Sequence, residues 1–474
     1  MDRRRSFKQG LIRLAVPVAV PFVMLLLSAG CPPAQQQAGA VFPSERWGIS
    51  KALAPATAET RLAAAHRVLY ERKFEDALDA YRELAAEFPA SAEAHLGLSM
   101  ALRYTGNVDS ALVECGRALE LDPDAVASLC NYADLITPYR GAKTLKPMSD
   151  EERFAKAEEY FKKALQSSHR LAAYARTGLW CNYMATGQLT RAREQIAELG
   201  RAHYFPPALL SMANNMLVDL DSNAVIFTNG DNDTYPLYAL QQAEGFRSDV
   251  SVVNLSLLNL ETVAALWRDS FDVPISLTDE ELTGLKARKG GDGSVVTPSD
   301  RLVADIIEHA PAAGRPVYFA ITVYKDRLDP YQDRLVLEGF VYRVADRPVS
   351  RPVDIDRLAS NVRQKYRMDV PGALEPWIEN LSPITRHLTP LAYNHFHINS
   401  LLADHFAEAG DQQEARRYLH DMYHSSEHAG LVDGMKLALD QWLKLYPDDP
   451  EALDLKHFYE GRYPATERTE PEAS

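Results

Sequence analysis

The sequence predicts an α+β multidomain protein: an α-solenoid of stacked helix pairs joined to a central α/β domain with a mostly parallel sheet. Three observations carry this. Ala77 and Ala111, and Pro89 and Pro123, are each 34 residues apart, a period at which helix pairs repeat. From residue 205 the pattern changes to short apolar, β-branched runs alternating with helical stretches, which is how a largely parallel sheet with helical crossovers is written. From residue 391 helical periodicity resumes.

The chain of 474 residues opens on a targeting pattern. Arg3, Arg4, Arg5, Lys8 and Arg13 precede an apolar run over 14–27 that Pro17 and Pro21 interrupt. It is too short for a comfortable membrane span. Leu27-Ser28-Ala29-Gly30-Cys31 places small residues before a cysteine, as a lipoprotein signal does. Residues 1–30 are thus expected to be a signal peptide, with Cys31 the lipidated N-terminus. Ser28 stands where such signals usually carry leucine, and Arg4-Arg5 also resembles part of a twin-arginine signal. Residues 31–57 begin PPAQQQAGA after the cysteine and read as a tether. The expectation is an extracytoplasmic lipoprotein of the bacterial cell envelope, meeting the membrane through its lipid alone.

A formal net charge of -14 excludes a nucleic-acid partner, because no basic excess offsets phosphates. Cys115, Cys130 and Cys181 lack metal-ligand spacing. They read as small apolar core residues, with a Cys115–Cys130 disulfide left open.

Residues 58–204 hold the repeats. In the second unit Leu98, Gly106, Ala111, Ala118 and Pro123 fall where paired helices need small, turn and stop residues. The first unit agrees through Ala77, Tyr81 and Pro89, with a helix over 62–69. The third starts at Val126, is interrupted over 137–147, and resumes as FAKAEEYFKKALQ. The fourth carries Leu179, Tyr183, Gly187 and Ala192. These positions resemble the tetratricopeptide repeat, which implies a curved solenoid with a groove for a protein partner. The alternative is an array that only packs against its own chain. Tyr139 and Arg140, on the interrupting loop, are the candidate partner contacts.

Residues 205–350 are the expected α/β domain. Strands are predicted over 224–228, 250–255, 317–323 and 339–344, and helices over 235–243, 260–268 and 299–309, the last capped by Ser299. Residues 286–294 (KARKGGDGS) read as a mobile glycine-rich loop. The most informative stretch is VIFTNGDNDTYP, residues 225–236. A buried strand runs into an Asn-Gly turn, and Pro236 reads as a first helical residue. Such an edge is where ligands sit in open α/β sheets. The candidate ligand-binding residues are Asp231, Asn232, Asp233, Thr234, Tyr235, Asn254, Ser256 and Asn259. They can hold Mg²⁺ or Ca²⁺ through oxygens, hold a sugar with Tyr235 or Tyr238 as a stacking plate, or satisfy the turn's own backbone. No nucleophile–base pair, G-x-S-x-G, H-E-x-x-H or Walker loop is present. The reading therefore leans away from an enzyme and names no cofactor. A saccharide-acting enzyme using Asp231 and Asp233, or a pure assembly scaffold, is the alternative.

Five blocks in order, 227–237 (FTNGDNDTYPL), 244–250, 253–259, 315–322 and 338–343, resemble the soluble C-terminal region of protein O-mannosyltransferase-like membrane proteins. The resemblance covers about residues 222–345. It implies a detached extracytoplasmic portion, accessory to cell-envelope glycan or protein glycosylation, since the chain lacks that family's multi-span transferase module.

Residues 351–390 read as a connector with a short helix over 361–366, residues 391–465 as further tetratricopeptide-like helices, and 466–474 as a disordered tail. His395 and His397 cannot share a helix face. His420, His424 and His428 recur every four residues. That spacing holds a metal where acids orient the rings, and is otherwise a solvated helix face. Neighbouring Asp421 and Glu427 are too ordinary to decide between the two.

Overall fold

Helix pairing begins with small residues. Ala77, Ala111, Ala157 and Ala192 are all fully buried at matching positions of the second helix of each pair, where a larger side chain would hold the helices apart. The computed structural model describes residues 46–49, 56–139, 148–290, 295–370, 381 and 391–463. The signal peptide, Cys31, most of the tether, Arg140 and the tail lie outside them; the end of the expected tether is instead packed, with Trp47 and Ile49 buried and residues 56–57 already in the first helix.

Four pairs follow in order: α1 (Ala56–Tyr70) with α2 (Phe74–Glu87), α3 (Ala92–Tyr104) with α4 (Val108–Leu121), α5 (Val126–Ile136) with α6 (Asp150–Ala164), and α7 (Ala175–Ala185) with α8 (Leu189–Arg201). Gly106 and Gly187 turn the chain within their pairs at φ of 85° and 71°, a conformation that favours glycine. Successive pairs lock ring into hole. A Cβ on Gly97 would lie 2.0 Å from the Tyr81 ring, and one on Gly178 would lie 2.2 Å from the Phe161 ring. α6 starts earlier than predicted, because Ser149 and Glu152 form a reciprocal capping box.

The first helices of the pairs are enclosed by their own chain. Every residue from Ala92 to Leu102 is buried, as is α5 apart from the half-buried Tyr132. Trp47 donates to the Tyr70 hydroxyl at 3.3 Å and meets His66 edge-on. Gly48 O accepts from Val126 N, and Leu381 O accepts from Tyr70 Oη. The groove expected to receive a partner thus carries residues of the chain itself along these helices.

An unpredicted helix, α9 (Pro207–Leu217), precedes the sheet. Its strands are β1 (Val225–Thr228), β2 (Ser251–Asn254), β5 (Val317–Ala320), β6 (Leu335–Leu337) and β7 (Val341–Val344), in the order β2-β1-β5-β7-β6. β1 pairs in parallel with β2 and β5, while β7 is antiparallel to both β5 and β6. Four strands therefore share one direction, and the sheet is mostly parallel. β1, β2 and β5 are buried throughout, which explains their unbroken apolar character. The crossovers use α10 (Asp231–Glu244), α11 (Glu261–Phe271), α12 (Asp279–Thr283) and α13 (Pro298–His309).

Several local expectations need correction. α13 is capped by Thr297, in a box with Asp300 and with Pro298 at its first position, so Ser299 is an interior residue. Part of the glycine-rich stretch pairs as a hairpin of β3 (Arg288–Lys289) and β4 (Val295–Val296). α10 begins at Asp231 and not after Thr234, so Pro236 sits inside the helix.

Two arginines of the resemblance blocks are structural pins. Arg247 donates to Leu217 O and Leu220 O, and pairs with Asp249. That bond holds the Asp249 carboxyl down at about 2. Arg315 donates to Phe271 O, Asp272 O and the Ser251 hydroxyl. Both fasten the approaches to β1 and β2. No disulfide joins Cys115 to Cys130; Cys115, Cys130 and Cys181 are buried thiols, and burial pushes the Cys115 thiol up to about 12.

After a short α14 (Lys325–Leu328), α15 (Ile355–Gln364) starts before the predicted 361–366, because Asp354 caps it by accepting from Arg357 N. Then come α16 (Ala392–Glu408), α17 (Gln412–His428), α18 (Val432–Leu445) and α19 (Pro450–Arg462). Among the described residues no helix is long and apolar enough to cross a membrane.

His395 on α16 is buried against Phe340, ring centroids 4.9 Å apart, and its Nδ1 has no partner. Burial pulls the imidazole down from 6.5 to about 4. The unfolded chain then binds the proton more readily, so stability is lost as pH falls through that window. The loss is at most about 3 kcal/mol, taking about 1.4 kcal/mol per tenfold change. Urea midpoints measured from pH 7 to 4 should fall less steeply in His395→Gln than in the parent; coincident profiles would contradict the assignment.

Candidate functional site: the rim of the sheet at the fourth helix pair

The two acids of the turn point to different places. Asp233 is buried and accepts from Asn229 N at 2.8 Å, from Gly230 N at 2.7 Å, and from the Thr322 hydroxyl. It closes the helix start on its own backbone. Burial pushes its carboxyl above the ordinary value, against the pull of those three donors. Asp231, two residues earlier, is exposed and lines a hollow of about 280 Å³.

The other candidates divide in the same way. Thr234 is fully buried, its hydroxyl 2.7 Å from Thr228 Oγ1 and accepting from Asn254 Nδ2 at 2.9 Å. Asn254 also accepts from Ser256 N and Leu257 N, so its amide shapes the loop after β2 while its edge lines the hollow. Asn259 donates to Leu255 O and Ser256 O and accepts from Ser299 N. Asn232 Oδ1 is enclosed without a donor and is not part of the hollow's wall. Tyr238 is no stacking plate, since it is buried and donates to Val252 O at 2.5 Å.

The wall of the hollow comprises Tyr139, Cys181, Gly230, Asp231, Tyr235, Asn254, Ser256, Leu257, Asn259 and Leu260. Tyr235 is edge-on to Trp180, with its hydroxyl 3.0 Å from Cys181 Sγ. Tyr139 reaches across from the interrupting loop and donates to Asn182 Oδ1 at 3.5 Å. Six of the predicted residues thus meet: Asp231, Tyr235, Asn254, Ser256, Asn259 and Tyr139. Asp233 and Thr234 lie beneath them. Cys181, Leu257 and Leu260 were not anticipated as site residues; Cys181 read as core, and only the fold brings the fourth helix pair against β1 and β2. A second hollow of about 360 Å³ shares Tyr139, Asn259 and Leu260 and extends to Glu261, Lys286 and Leu302.

Chemically the site offers one carboxylate, a serine hydroxyl, tyrosine rings and apolar leucine edges. Hard cations need six to eight oxygens, and among the described residues this turn does not gather three metal-ligating side chains. A Mg²⁺ or Ca²⁺ site on the paired aspartates is therefore not supported.

Comparison with known proteins agrees with this division of the chain. Residues 68–131 match the tetratricopeptide repeat, and residues 209–286 match TMEM260-associated domain 2. Repeats of this class serve protein binding and scaffolding. No curated protein matches in sequence. Among solved structures, PilW, described as a widely conserved type IV pilus biogenesis factor, is similar at 16% identity and a TM-score of 0.30, over 48% of this chain and 99% of that one. The human IFIT1 dimer with m7Gppp-AAAA is similar at 12% identity and a TM-score of 0.26, over 85% of this chain and 68% of that one.

Proposed function

We propose that this is a lipid-anchored binding protein of the bacterial cell envelope, accessory to glycan or protein glycosylation, which performs no chemistry itself. In this reading the hollow between the fourth helix pair and the sheet rim takes a sugar unit presented by a partner. The observation that carries it is the combination of Asp231, Ser256 and the half-buried Tyr139 around one cavity of about 280 Å³, with the buried Tyr235 forming its floor. Few convergent polar groups within an otherwise apolar, aromatic wall are what a small-ligand site requires. Rings take the apolar faces of a sugar, and a carboxylate takes its hydroxyls. The repeats supply the protein-binding scaffold. The anchor is inferred from the Leu27–Cys31 pattern, and the glycosylation setting from the ordered blocks over 222–345.

The rival enzyme requires two carboxylates facing one substrate, about 5–10 Å apart. Asp233 is spoken for by the helix start, which disfavours that reading. The pure-scaffold rival requires that nothing enter the hollow. Saturation-transfer NMR with neutral hexoses and N-acetylhexosamines separates these. Contact with at least one sugar is expected in the parent, with at least a tenfold loss in Asp231→Ala and Tyr139→Ala while both keep the folded far-UV circular dichroism of the parent. No contact from any sugar, or contact indifferent to both substitutions, would refute the assignment.

A further inference from the structure

The histidine series on α17 gains a partner that its own helix does not supply. Arg416, His420 and His424 follow at four-residue intervals and so share a face. That face meets the start of α19. Arg416 Nε pairs with Asp449 Oδ2 at 2.7 Å, and Asp449 caps α19. One turn further along α17, His420 Nε2 lies 3.7 Å from Glu451 Oε1. The His420 and His424 rings are 4.2 Å apart between centroids. One ligating atom from each of His420, His424 and Glu451 falls within a sphere of mutual distances under 4.8 Å.

We propose that His420, His424 and Glu451 form a site for a borderline transition-metal dication such as Zn²⁺, joining α17 to α19. Two imidazoles and a carboxylate suit Zn²⁺, and are poor for Ca²⁺ or Mg²⁺, which want oxygens. Tetrahedral zinc with bonds of about 2.0–2.2 Å sets its ligand atoms roughly 3.3–3.5 Å apart. The His420–Glu451 separation is already close to that, and the rest is within reach of side-chain rotation, since all three groups are partly or fully exposed. The rings are also oriented. Glu427 Oε2 lies 3.2 Å from His424 Nδ1, and Asp421 Oδ1 lies 3.6 Å from His420 Nδ1. The Glu427 contact leaves His424 Nε2 for the ion, the carboxylate–histidine–metal arrangement that fixes a tautomer, while Asp421 stands beyond hydrogen-bond distance of His420, whose Nε2 already faces Glu451. The cationic neighbour, Arg416, is itself neutralised by Asp449. His428, the third of the series, is absent from the cluster. Three protein ligands leave a fourth position open to water or to a side chain of a partner.

The test is titration of the full chain, freed of metal, with Zn²⁺ alone, and separately with Ca²⁺. One saturable Zn²⁺ per chain is expected, with a raised melting temperature, because an ion bound only to the folded state stabilises it. Uptake and the thermal shift should both be lost in His424→Ala and in Glu451→Ala, persist in His428→Ala, and weaken about tenfold in the positioning variant Glu427→Gln. Co²⁺ in place of Zn²⁺ should give tetrahedral visible bands in the parent, a readout that needs no variant to fold. Absence of saturable Zn²⁺ uptake by the parent, uptake unchanged in both His424→Ala and Glu451→Ala, or Ca²⁺ bound as tightly as Zn²⁺, would overturn the proposal.

Discussion

Asp233→Ala should cost about 3–5 kcal/mol of folding stability, the sum of a lost helix cap and of half-buried donors left unpaired. Its carboxylate is the acceptor for Asn229 N, Gly230 N and the Thr322 hydroxyl. Removing it strands three half-buried donors at the start of α10. Asp233→Asn keeps one acceptor oxygen and should lose about half as much. Asp231→Ala, only two residues away, removes an acid from the first turn of α10 and should cost under about 1 kcal/mol. Chemical denaturation of the three variants checks this order. Equal losses at 231 and 233 would mean that the two carboxylates share one environment.

The second large effect lies in the repeats. Gly178→Ala puts a methyl 2.2 Å from Phe161 Cζ, and Phe161 is fully buried. Alanine ordinarily favours a helix interior by up to about 1 kcal/mol over glycine. Overpacking here should outweigh that and leave a net loss of about 1–3 kcal/mol. The loss should shrink in Phe161→Leu, where the ring that blocks the methyl is gone. A double-mutant cycle measures this coupling. Additive losses would show that the glycine does not serve as the hole for that ring.

The repeats were legible because their signals are local and recur. Small residues at Ala77, Ala111, Ala157 and Ala192 fix helix approach wherever they occur, so spacing alone reveals them. The strands were legible for a similar reason: buried parallel strands are continuous apolar runs. What failed was the start of α10. Pro236 has the look of a first helical residue, but the helix begins five residues earlier because Gly230 and Asp233 close its end. Once Asp231 and Asp233 are both helical, they stand about 200° apart around the axis. They therefore cannot face one ligand, and the paired-acid reading dissolves. β6 is three residues long and α9 lies just before the sheet; both take their shape from tertiary packing and not from period. The hollow itself was half visible. Its rim came from the turn and the loop after β2. Cys181 belongs to α7 and Tyr139 to the loop between α5 and α6, and only the docking of the fourth helix pair on α10 brings them there. Gly200 on α8 permits that docking, since a Cβ there would lie 2.7 Å from Ala243 Cβ. Glu451 is likewise far along the chain from His420 and His424, so no spacing rule could have joined them.

The central claim is recognition without turnover at the hollow beside Asp231. It is tested most directly by incubating the full chain with the sugar that saturation transfer picks out, then analysing both occupancy and the recovered ligand. The account predicts saturable binding, lost in Asp231→Ala while it keeps the folded far-UV circular dichroism of the parent, with the sugar recovered chemically intact. Recovery of cleaved or transferred sugar that depends on Asp231 would contradict it.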